Sequence, residues 1–411
     1  MFLNECSIEK DEILIATNNE LKEIVEQDGF EHIEFQAWKN SNPGMINMEK
    51  QLEEERRILE ASYEATKQGM TSALHFQAEH RIHDLFNNLS EIEKRLDELE
   101  KHYHPQVYIV VQLCYNVTAI LEKKGARYIT FVTGNPDQLP RQDQIYGYPH
   151  FLASDIYYEK EKLDELLEYC SSVQEEATRQ YIALTGKEEK NVFSVASKEM
   201  VIYNYPAMLI KHRDILPHEY YLGSSCREAE KDDDLEEELK GLKSLGKKIV
   251  YISFGTVFSV RGDVLSKIFQ ALNEIDCAVV VATGVMDSKY LRYLKNDWLC
   301  REFIPQVLVL KYADLLIGHG GNNSITEALT YGVPIMVFPF ASDQFFSAKS
   351  IEENELGAVC DPQKAKISYI SEMIKYSLSC RDRATLVKKY IQERKEKQKA
   401  LKKINEMVRG Y

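Results

Sequence analysis

The 411-residue sequence lacks a long apolar segment, and its first residues are rich in charge. The longest apolar run, residues 107–121, is interrupted by Gln112 and Asn116 and is too short to span a bilayer. The opening residues MFLNECSIEKDE carry charges where a signal peptide needs an apolar core, so we expect no secretion signal there. A transmembrane protein is therefore not predicted.

Basic residues and paired cysteines are also scarce. The 51 Lys and Arg residues are outnumbered by 65 Asp and Glu, which gives a net charge of -14. A general nucleic-acid binder needs a basic face, so we expect no nucleic-acid partner, although a local pocket for a small anion remains compatible. The eight cysteines are scattered without metal-type spacing, which predicts reduced thiols in a cytoplasmic protein.

The second half of the chain alternates regularly between strands and helices. The apolar runs IVYISFGT, CAVVVAT, LLIGH and PIMVFP are separated by helical segments, a pattern typical of a parallel sheet with helices on both faces. The length allows two domains. We predict an N-terminal domain over residues 1–225, an acidic linker over 226–247, an α/β domain over 248–380 and a C-terminal helix over 381–411. That helix is either solvated or a strut against the other domain.

The first half of the chain is less regular. Strands are predicted at EILIATNN, HIEFQAW, VYIVVQL and RYITFVTG, and residues 48–103 are predicted to be helical. Within that segment an apolar stripe recurs at three-four spacing: Leu85, Leu89, Ile92, Leu96 and Leu99. The stripe is too short for a convincing coiled coil, so we expect it to face the core.

The stretch LLIGHGGNNSITEALTYGVP, residues 315–334, predicts a strand, a sharp turn and a helix. The turn and the helix start contain Gly318, Gly320, Gly321, Asn322, Asn323 and Ser324. Glycines let a ligand approach the backbone closely, and asparagine and serine favour helix starts. Free N–H groups at a helix N-terminus attract phosphate, and His319 adds a donor beside them. The stretch therefore predicts an anion site, with an ordinary strand–loop–helix connection as the alternative.

Other polar and aromatic residues follow predicted strands of the second half. They are Gly255, Thr256, Phe303, Gln306, Asp343 and Gln344. Ligands of two-lobed α/β proteins lie at the carboxyl ends of parallel strands. An aromatic face, an anion site and a carboxylate–amide pair together fit a nucleotide-sugar, with the base stacked and the hexose hydroxyls bound by the acid and the amide.

Residues 303–344, FIPQVLVLKYADLLIGHGGNNSITEALTYGVPIMVFPFASDQ, resemble the donor-binding signature of the UDP-glycosyltransferases, including the bacterial macrolide glycosyltransferases. The resemblance is strong over residues 248–361 and weak before residue 226. It implies an α/β fold of the GT-B type, with two Rossmann-like lobes, parallel sheets and a C-terminal helix. It also implies an inverting transfer of a hexose from a UDP- or dTDP-sugar to a hydroxyl of a small hydrophobic acceptor, without a metal or a further cofactor.

The position of each residue within this signature implies its role. Phe303 would stack on the base, Gln306 would bond the base edge, and Glu327 would bond the ribose hydroxyls. The diphosphate would be held by Thr256, His319, Gly321, Asn323 and Ser324, beside Gly255. Asp343 and Gln344 would hold the sugar. Singly, each has a plainer interpretation, such as a solvated helix residue for Glu327, a strand-end histidine for His319 and a helix cap for Asp343.

The family's catalytic histidine and its orienting aspartate have no visible counterpart. The residues KDEILIATNNELKEIVEQDGFEHIEF resemble the family's second strand and helix, so we expect the first strand and its histidine loop to be absent. The orienting acid should fall near Val111 or Gln112, and Gln112 carries no charge. The catalytic base is therefore unknown. We expect weak transfer unless a base lies elsewhere, with Asp137 the first residue to examine because it follows a strand end near the expected cleft.

Three functions remain compatible with the sequence. The first is an active glycosyltransferase. The second is a non-catalytic relative that binds a nucleotide-sugar or a partner protein, which an incomplete N-terminal lobe would favour. The third, an epimerase of the same two-lobed fold, ranks last because such enzymes lack the signature. The run Asp232 to Asp234 matches an Asp-x-Asp metal motif formally, but it lies in an acidic run rather than after a strand, so no metal is predicted.

Overall fold

The computed structural model describes residues 2–37 and 53–409 of the chain. Trp38, at the end of a predicted strand, and residues 48–52, at the start of the predicted helical segment, lie outside the described residues. The last two residues of the predicted C-terminal helix lie outside them as well.

Six strands of the N-terminal lobe form two separate parallel sheets. One sheet pairs β1 (Leu14–Thr17) with β2 (Glu31–Glu34). The other contains, in this order, β3 (Tyr108–Val111), β4 (Tyr128–Val132), β5 (Val201–Tyr203) and β6 (Glu219–Tyr221). Within the described part of the chain, β1 and β3 each pair with a strand along one edge alone.

In the described part of this lobe, six α-helices accompany these strands: α1 (Lys22–Gln27), α2 (Glu53–Gln68), α3 (Met70–Leu85), α4 (Leu89–Tyr103), α5 (Tyr115–Lys124) and α6 (Lys160–Thr185). The predicted helical segment is thus three helices, with breaks at Gly69 and before Leu89. Ile92 and Leu96 of α4 are buried in one core cluster with Ile120 and Leu121 of α5. The prediction that the apolar stripe faces the core is therefore confirmed for α4.

The C-terminal lobe is built on one five-stranded parallel sheet. Its strands are β7 (Lys248–Ser253), β8 (Cys277–Ala282), β9 (Leu299–Arg301), β10 (Leu315–Gly318) and β11 (Ile335–Val337). Their order across the sheet is β11-β10-β7-β8-β9. All residues of β10 and β11 are buried, as strands covered by helices on both faces require.

The helices of this lobe are α7 (Asp233–Ser244), α8 (Gly255–Phe258), α9 (Gly262–Leu272), α10 (Gln306–Leu310), α11 (Asn322–Thr330), α12 (Gln344–Glu353) and α13 (Ile367–Ser379). Helix α7 lies within the segment predicted to be a linker. Asp232 caps it by accepting the N–H of Leu235 at 2.9 Å, and acids at its start favour the helix dipole. Leu235 and Leu239 are fully buried, so this segment is part of the lobe's core.

The C-terminal residues cross back to the N-terminal lobe. They form α14 (Arg381–Glu393) and α15 (Lys395–Arg409), which meet at Arg394, a residue with a φ of 55°. Ala400 and Ile404 of α15 are buried in a cluster that includes strand residues of the N-terminal sheet. Of the two interpretations left open by the sequence, the structure therefore has the C-terminal helix packed against the other domain and not solvated. None of the helices in the described ranges is both long and apolar enough to cross a membrane.

Candidate functional site

The glycine-rich turn connects β10 to α11 as the sequence predicts. Gly320 has a φ of 88°, and a Cβ atom there would lie 2.7 Å from Val337 Cγ1, so a side chain would be both strained and obstructed. The first helical bond of α11 runs from Ile325 N to the carbonyl of Gly321. The N–H groups of Asn322, Asn323 and Ser324 find no hydrogen-bond acceptor among the described residues. The positive end of α11 is therefore free to bind an anion.

His319 lies partly buried beside this helix start. Its ring is 5.6 Å from the ring of Phe258, and its Nδ1 atom is buried without a hydrogen-bond partner in the described structure. Burial lowers the pKa of His319 to about 4, so the imidazole is neutral at pH 7. The site therefore presents a neutral ring that can still gain a proton when an anion approaches.

Three predicted residues meet on the other side of α11. Gln306, the first residue of α10, donates from Nε2 to Glu327 Oε2 at 2.6 Å and to Ser324 Oγ at 3.2 Å. Glu327 is 9% exposed, and burial raises the pKa of this carboxyl group, while the bond from Gln306 and the nearby charge of Arg227 oppose the rise. Glu327 is thus not a solvated helix residue. Phe303 is 53% exposed as a residue, so a flat ligand can reach its side chain.

Asp343 and Gln344 are held by backbone groups. Asp343 Oδ2 accepts the N–H of Asn135, in the other lobe, at 3.0 Å, and its side chain makes no capping hydrogen bond to α12. Gln344 Oε1 accepts the N–H groups of Phe340 at 2.8 Å and Ala341 at 3.2 Å. Burial raises the pKa of Asp343. Asp343 therefore occupies the N-cap position of α12, but its carboxylate is turned to Asn135 and does not cap the helix.

The remaining predicted residues lie at the same edge of the sheet. Gly255 and Thr256 open the short helix α8 directly after β7, and β7 pairs with β10 in the sheet. Gly321 precedes α11 at the N-cap position, and Asn323 is exposed in its first turn. The structure therefore brings the predicted anion-binding positions to the carboxyl ends of neighbouring parallel strands.

Contacts between the lobes involve residues that the sequence did not single out for this purpose. Asn322 Nδ2 donates to the carbonyls of Thr133 at 2.7 Å and Asn204 at 3.0 Å. The buried Arg261 side chain donates to the carbonyl of Thr66 at 3.1 Å, from α9's start to the end of α2. These pairs are separated by more than a hundred positions, so no local pattern could have indicated them.

A cavity lies between the lobes next to Asp343. The empty space between its walls, including the open solvent at its mouth, is about 580 Å³. Its walls are largely apolar and aromatic: Leu74, Ala78, Ile145, Tyr146, Tyr148, Phe345 and Phe346. Asp137 and His150 add polar groups to the same walls. A small hydrophobic molecule with a hydroxyl group fits such a lining.

Gln112, at the position expected for the orienting acid, and Asp232, in the formal Asp-x-Asp motif, both make hydrogen bonds within the protein. Gln112, which follows β3, is buried and donates from Nε2 to Tyr115 Oη at 2.6 Å, while its Oε1 has no partner in the described structure. Asp232 pairs with Arg301 at 3.2 Å in addition to capping α7, so this member of the acidic run has a structural role. Among the residues described, no group of three His, Cys, Asp or Glu side chains is arranged to hold a metal ion.

Solved structures share this two-lobed architecture. The glycotransferase of kitacinnamycin is 14% identical, with a TM-score of 0.66 over 96% of this chain and 91% of that one. The glycosyltransferase VinC is 13% identical, with a TM-score of 0.61 over 100% of this chain and 94% of that one. These likenesses show that the chain has the GT-B fold.

The family follows from the sequence match. Residues 163–369, half of the chain, match the model of the UDP-glucoronosyl and UDP-glucosyl transferase family. The chain belongs to this family.

Curated relatives match over part of their length. The uncharacterized UDP-glucosyltransferase YdhE of Bacillus subtilis is 28% identical over 194 residues, which cover 46% of this chain and 48% of YdhE. The demethyllactenocin mycarosyltransferase of Streptomyces fradiae is 32% identical over 113 residues, which cover 27% of this chain and 24% of that enzyme. The chain thus spans about half, or less, of the length of these relatives.

Proposed function

We propose that this chain is an inverting glycosyltransferase that moves a hexose from a UDP- or dTDP-sugar to a hydroxyl group of a small hydrophobic acceptor. The observation that carries the proposal is the cluster of Gln306, Ser324 and Glu327 beside the free N-terminus of α11. The start of α10 and the first turns of α11 thus place groups suited to a nucleoside beside groups suited to a diphosphate.

The donor roles follow from the chemistry of each group. The base stacks on the exposed ring of Phe303, and the carboxylate of Glu327 accepts hydrogen bonds from the ribose hydroxyls. The diphosphate sits against the N–H groups at the start of α11 and against His319. Thr256, Asn323 and Ser324 supply further donors, and the helix dipole takes the neutralising role that a metal has elsewhere.

The sugar lies where the two lobes meet. The carboxylate of Asp343 accepts hydrogen bonds from hydroxyl groups of the hexose in place of the one that it accepts from Asn135. Gln344 presents its amide NH₂ from the same turn, because its Oε1 is held by the backbone. A hydroxyl oxygen of the acceptor attacks the anomeric carbon as the bond from that carbon to the diphosphate oxygen breaks. The electron pair leaves with the nucleotide, whose charge the start of α11 and His319 stabilise. One displacement inverts the anomeric configuration.

The names of similar proteins support these substrate classes. VinC was solved in complex with dTDP, and the spinosyn rhamnosyltransferase SpnG with thymidine diphosphate and, separately, with spinosyn aglycone. Two curated relatives from Bacillus subtilis are named uncharacterized UDP-glucosyltransferases. The aromatic cavity between the lobes is the place for such an acceptor, because it adjoins Asp343.

A second candidate function is a non-catalytic member that binds a nucleotide-sugar or a partner protein. Two observations favour it. The uncharged Gln112 stands where the family's orienting acid is expected, and the N-terminal strands divide into two sheets. Measured sugar transfer distinguishes this candidate from the first.

Calorimetric titration tests donor binding. We expect UDP and UDP-glucose to bind the wild-type chain, and Glu327→Ala to weaken binding about 10-fold or more, because it removes a carboxylate that accepts bonds from the ribose. Glu372→Ala, at an exposed position of α13, is the matched control and should bind as the wild type does. If no uridine or thymidine nucleotide binds, the proposed function is wrong.

A further inference from the structure

The turn that follows β4 brings a second carboxylate close to Asp343. Asn135 links the two, because its N–H donates to Asp343 Oδ2 at 3.0 Å and its Oδ1 accepts the N–H of Asp137 at 3.0 Å. The lobes approach closely here, since a Cβ atom on Gly134 would lie 2.7 Å from Asp343 Oδ2. Asp137 is therefore fixed by its backbone next to the place proposed for the sugar.

The carboxylate of Asp137 makes no hydrogen bond to any described residue. Its Oδ1 is buried 3.8 Å from Arg213 Nη1, beyond hydrogen-bond distance. Arg213 is committed to other acceptors, including the carbonyl of Pro136 at 2.6 Å and Glu219 Oε1 at 2.9 Å. The Asp137 side chain remains 19% exposed and lines the cavity between the lobes. It thus keeps lone pairs available to a molecule bound there.

The other potential proton acceptors on this cavity, His150 and Asp343, already have hydrogen-bond partners. His150 Nε2 is engaged by the backbone of Ile145, whose N–H lies 2.9 Å away and whose carbonyl oxygen lies 3.1 Å away. The proposed function assigns Asp343 to the hydroxyl groups of the hexose, and without a ligand its Oδ2 accepts the N–H of Asn135. Asp137 is the carboxylate of the cavity wall that combines exposure to the cavity with unused hydrogen-bonding capacity.

We propose that Asp137 accepts the proton of the acceptor hydroxyl during sugar transfer, in place of the family's histidine; the inference rests on the proposed function. The O–H bond of the acceptor breaks toward the Asp137 carboxylate while its oxygen forms a bond to the anomeric carbon. The bond from that carbon to the diphosphate breaks, and its electrons leave with the nucleotide. Asp137 then releases the proton to solvent, so the products are the glycoside, the nucleoside diphosphate and one proton.

The surroundings of Asp137 suit this role. Burial raises the pKa of Asp137, while Arg213, His212, Arg141 and His150 face it and oppose the rise. The carboxylate is therefore more basic than an exposed aspartate. The acid limb of the pH–rate profile should consequently lie above the ordinary range of an aspartate.

Matched substitutions test the inference. With UDP-glucose and a panel of phenolic and macrolide acceptors, Asp137→Asn should lower kcat about 10²–10⁴-fold and leave the Kd for UDP unchanged. Asp137→Glu should recover part of the rate, because it keeps the carboxylate. Asp143→Asn, an exposed aspartate of the same loop, is the control and should retain the wild-type kcat.

The outcomes separate this inference from the proposed function. An Asp137→Asn rate within a few-fold of wild type overturns it, as does a wild-type chain that binds UDP but transfers no sugar to any acceptor. A wild-type chain that binds no nucleotide overturns the proposed function itself. If the asparagine variant does not fold, the wild-type pH–rate profile decides, because a profile without an acid limb excludes a carboxylate base.

Discussion

The state of His319 makes donor binding dependent on pH. In the unliganded protein burial lowers the pKa of His319 to about 4 from an ordinary value of 6.5. A diphosphate at the start of α11 would place two negative charges beside the ring and raise that pKa again. A group whose pKa rises on binding takes up a proton, so binding strengthens as pH falls toward the pKa of the free protein.

The size of the effect follows from the two pKa values. If the bound ring returns to its ordinary pKa, proton linkage makes binding ~30-fold tighter at pH 5 than at pH 8, about 2 kcal/mol. UDP-glucose is the probe of choice, because its diphosphate is esterified at both ends and does not titrate in this range. Glu327 and Asp343 also have raised pKa values, so their titration must be separated from that of His319.

A variant that cannot titrate provides that separation. His319→Gln keeps a hydrogen-bond donor and loses the proton uptake, so calorimetry in buffers of different ionisation heat should show proton uptake for wild type and little for the variant. The difference between their affinity–pH curves then reports His319 alone. Wild-type binding without proton uptake between pH 5 and 8, or equal uptake by the variant, would refute the placement of the diphosphate beside His319.

Two further predictions concern the glycine-rich turn and the neutralisation of the diphosphate. Gly320→Ala should lower the free energy of unfolding by about 1–3 kcal/mol in urea titrations, because its backbone has a φ of 88° and Val337 occupies the space for a side chain; unchanged stability would contradict the turn geometry. UDP-glucose binding should be the same with and without a chelator, because the N–H groups of α11 replace a metal; loss on chelation and recovery with Mg²⁺ would contradict that assignment.

The sheet of the C-terminal lobe could be predicted because its strands are covered on both faces. Such strands are continuous apolar runs, as in residues 248–253 and 315–318, and this signal needs no tertiary information. β5 and β6 were not singled out, because three residues each are too few for a period to appear. The break at Arg394 had no local signal either, since neither glycine nor proline marks it.

The candidate site also has parts that could be predicted from local sequence and parts that depend on tertiary contacts. The turn before α11 and its helix start follow from local residue types. The family resemblance assigned Gln306 and Glu327 to the same nucleoside, but the hydrogen bond between them was seen only in the structure. The bond between Asp343 and Asn135 joins positions 208 apart in the chain, so it depends on how the lobes dock. Asp137 was singled out in the sequence because it follows a strand end, but the lack of a hydrogen bond to its carboxylate in the cavity wall was seen only in the structure.

The configuration of the transferred sugar tests the central claim most directly. The wild-type chain would be incubated with UDP-α-glucose or dTDP-α-glucose and hydroxylated aromatic or macrolide acceptors, and the anomeric proton coupling of each product measured by NMR. A single displacement predicts a β-glucoside, and its formation should be lost in Glu327→Ala at limiting donor. An α-glucoside, or no glycoside from either donor, would contradict the proposed inverting glycosyltransferase.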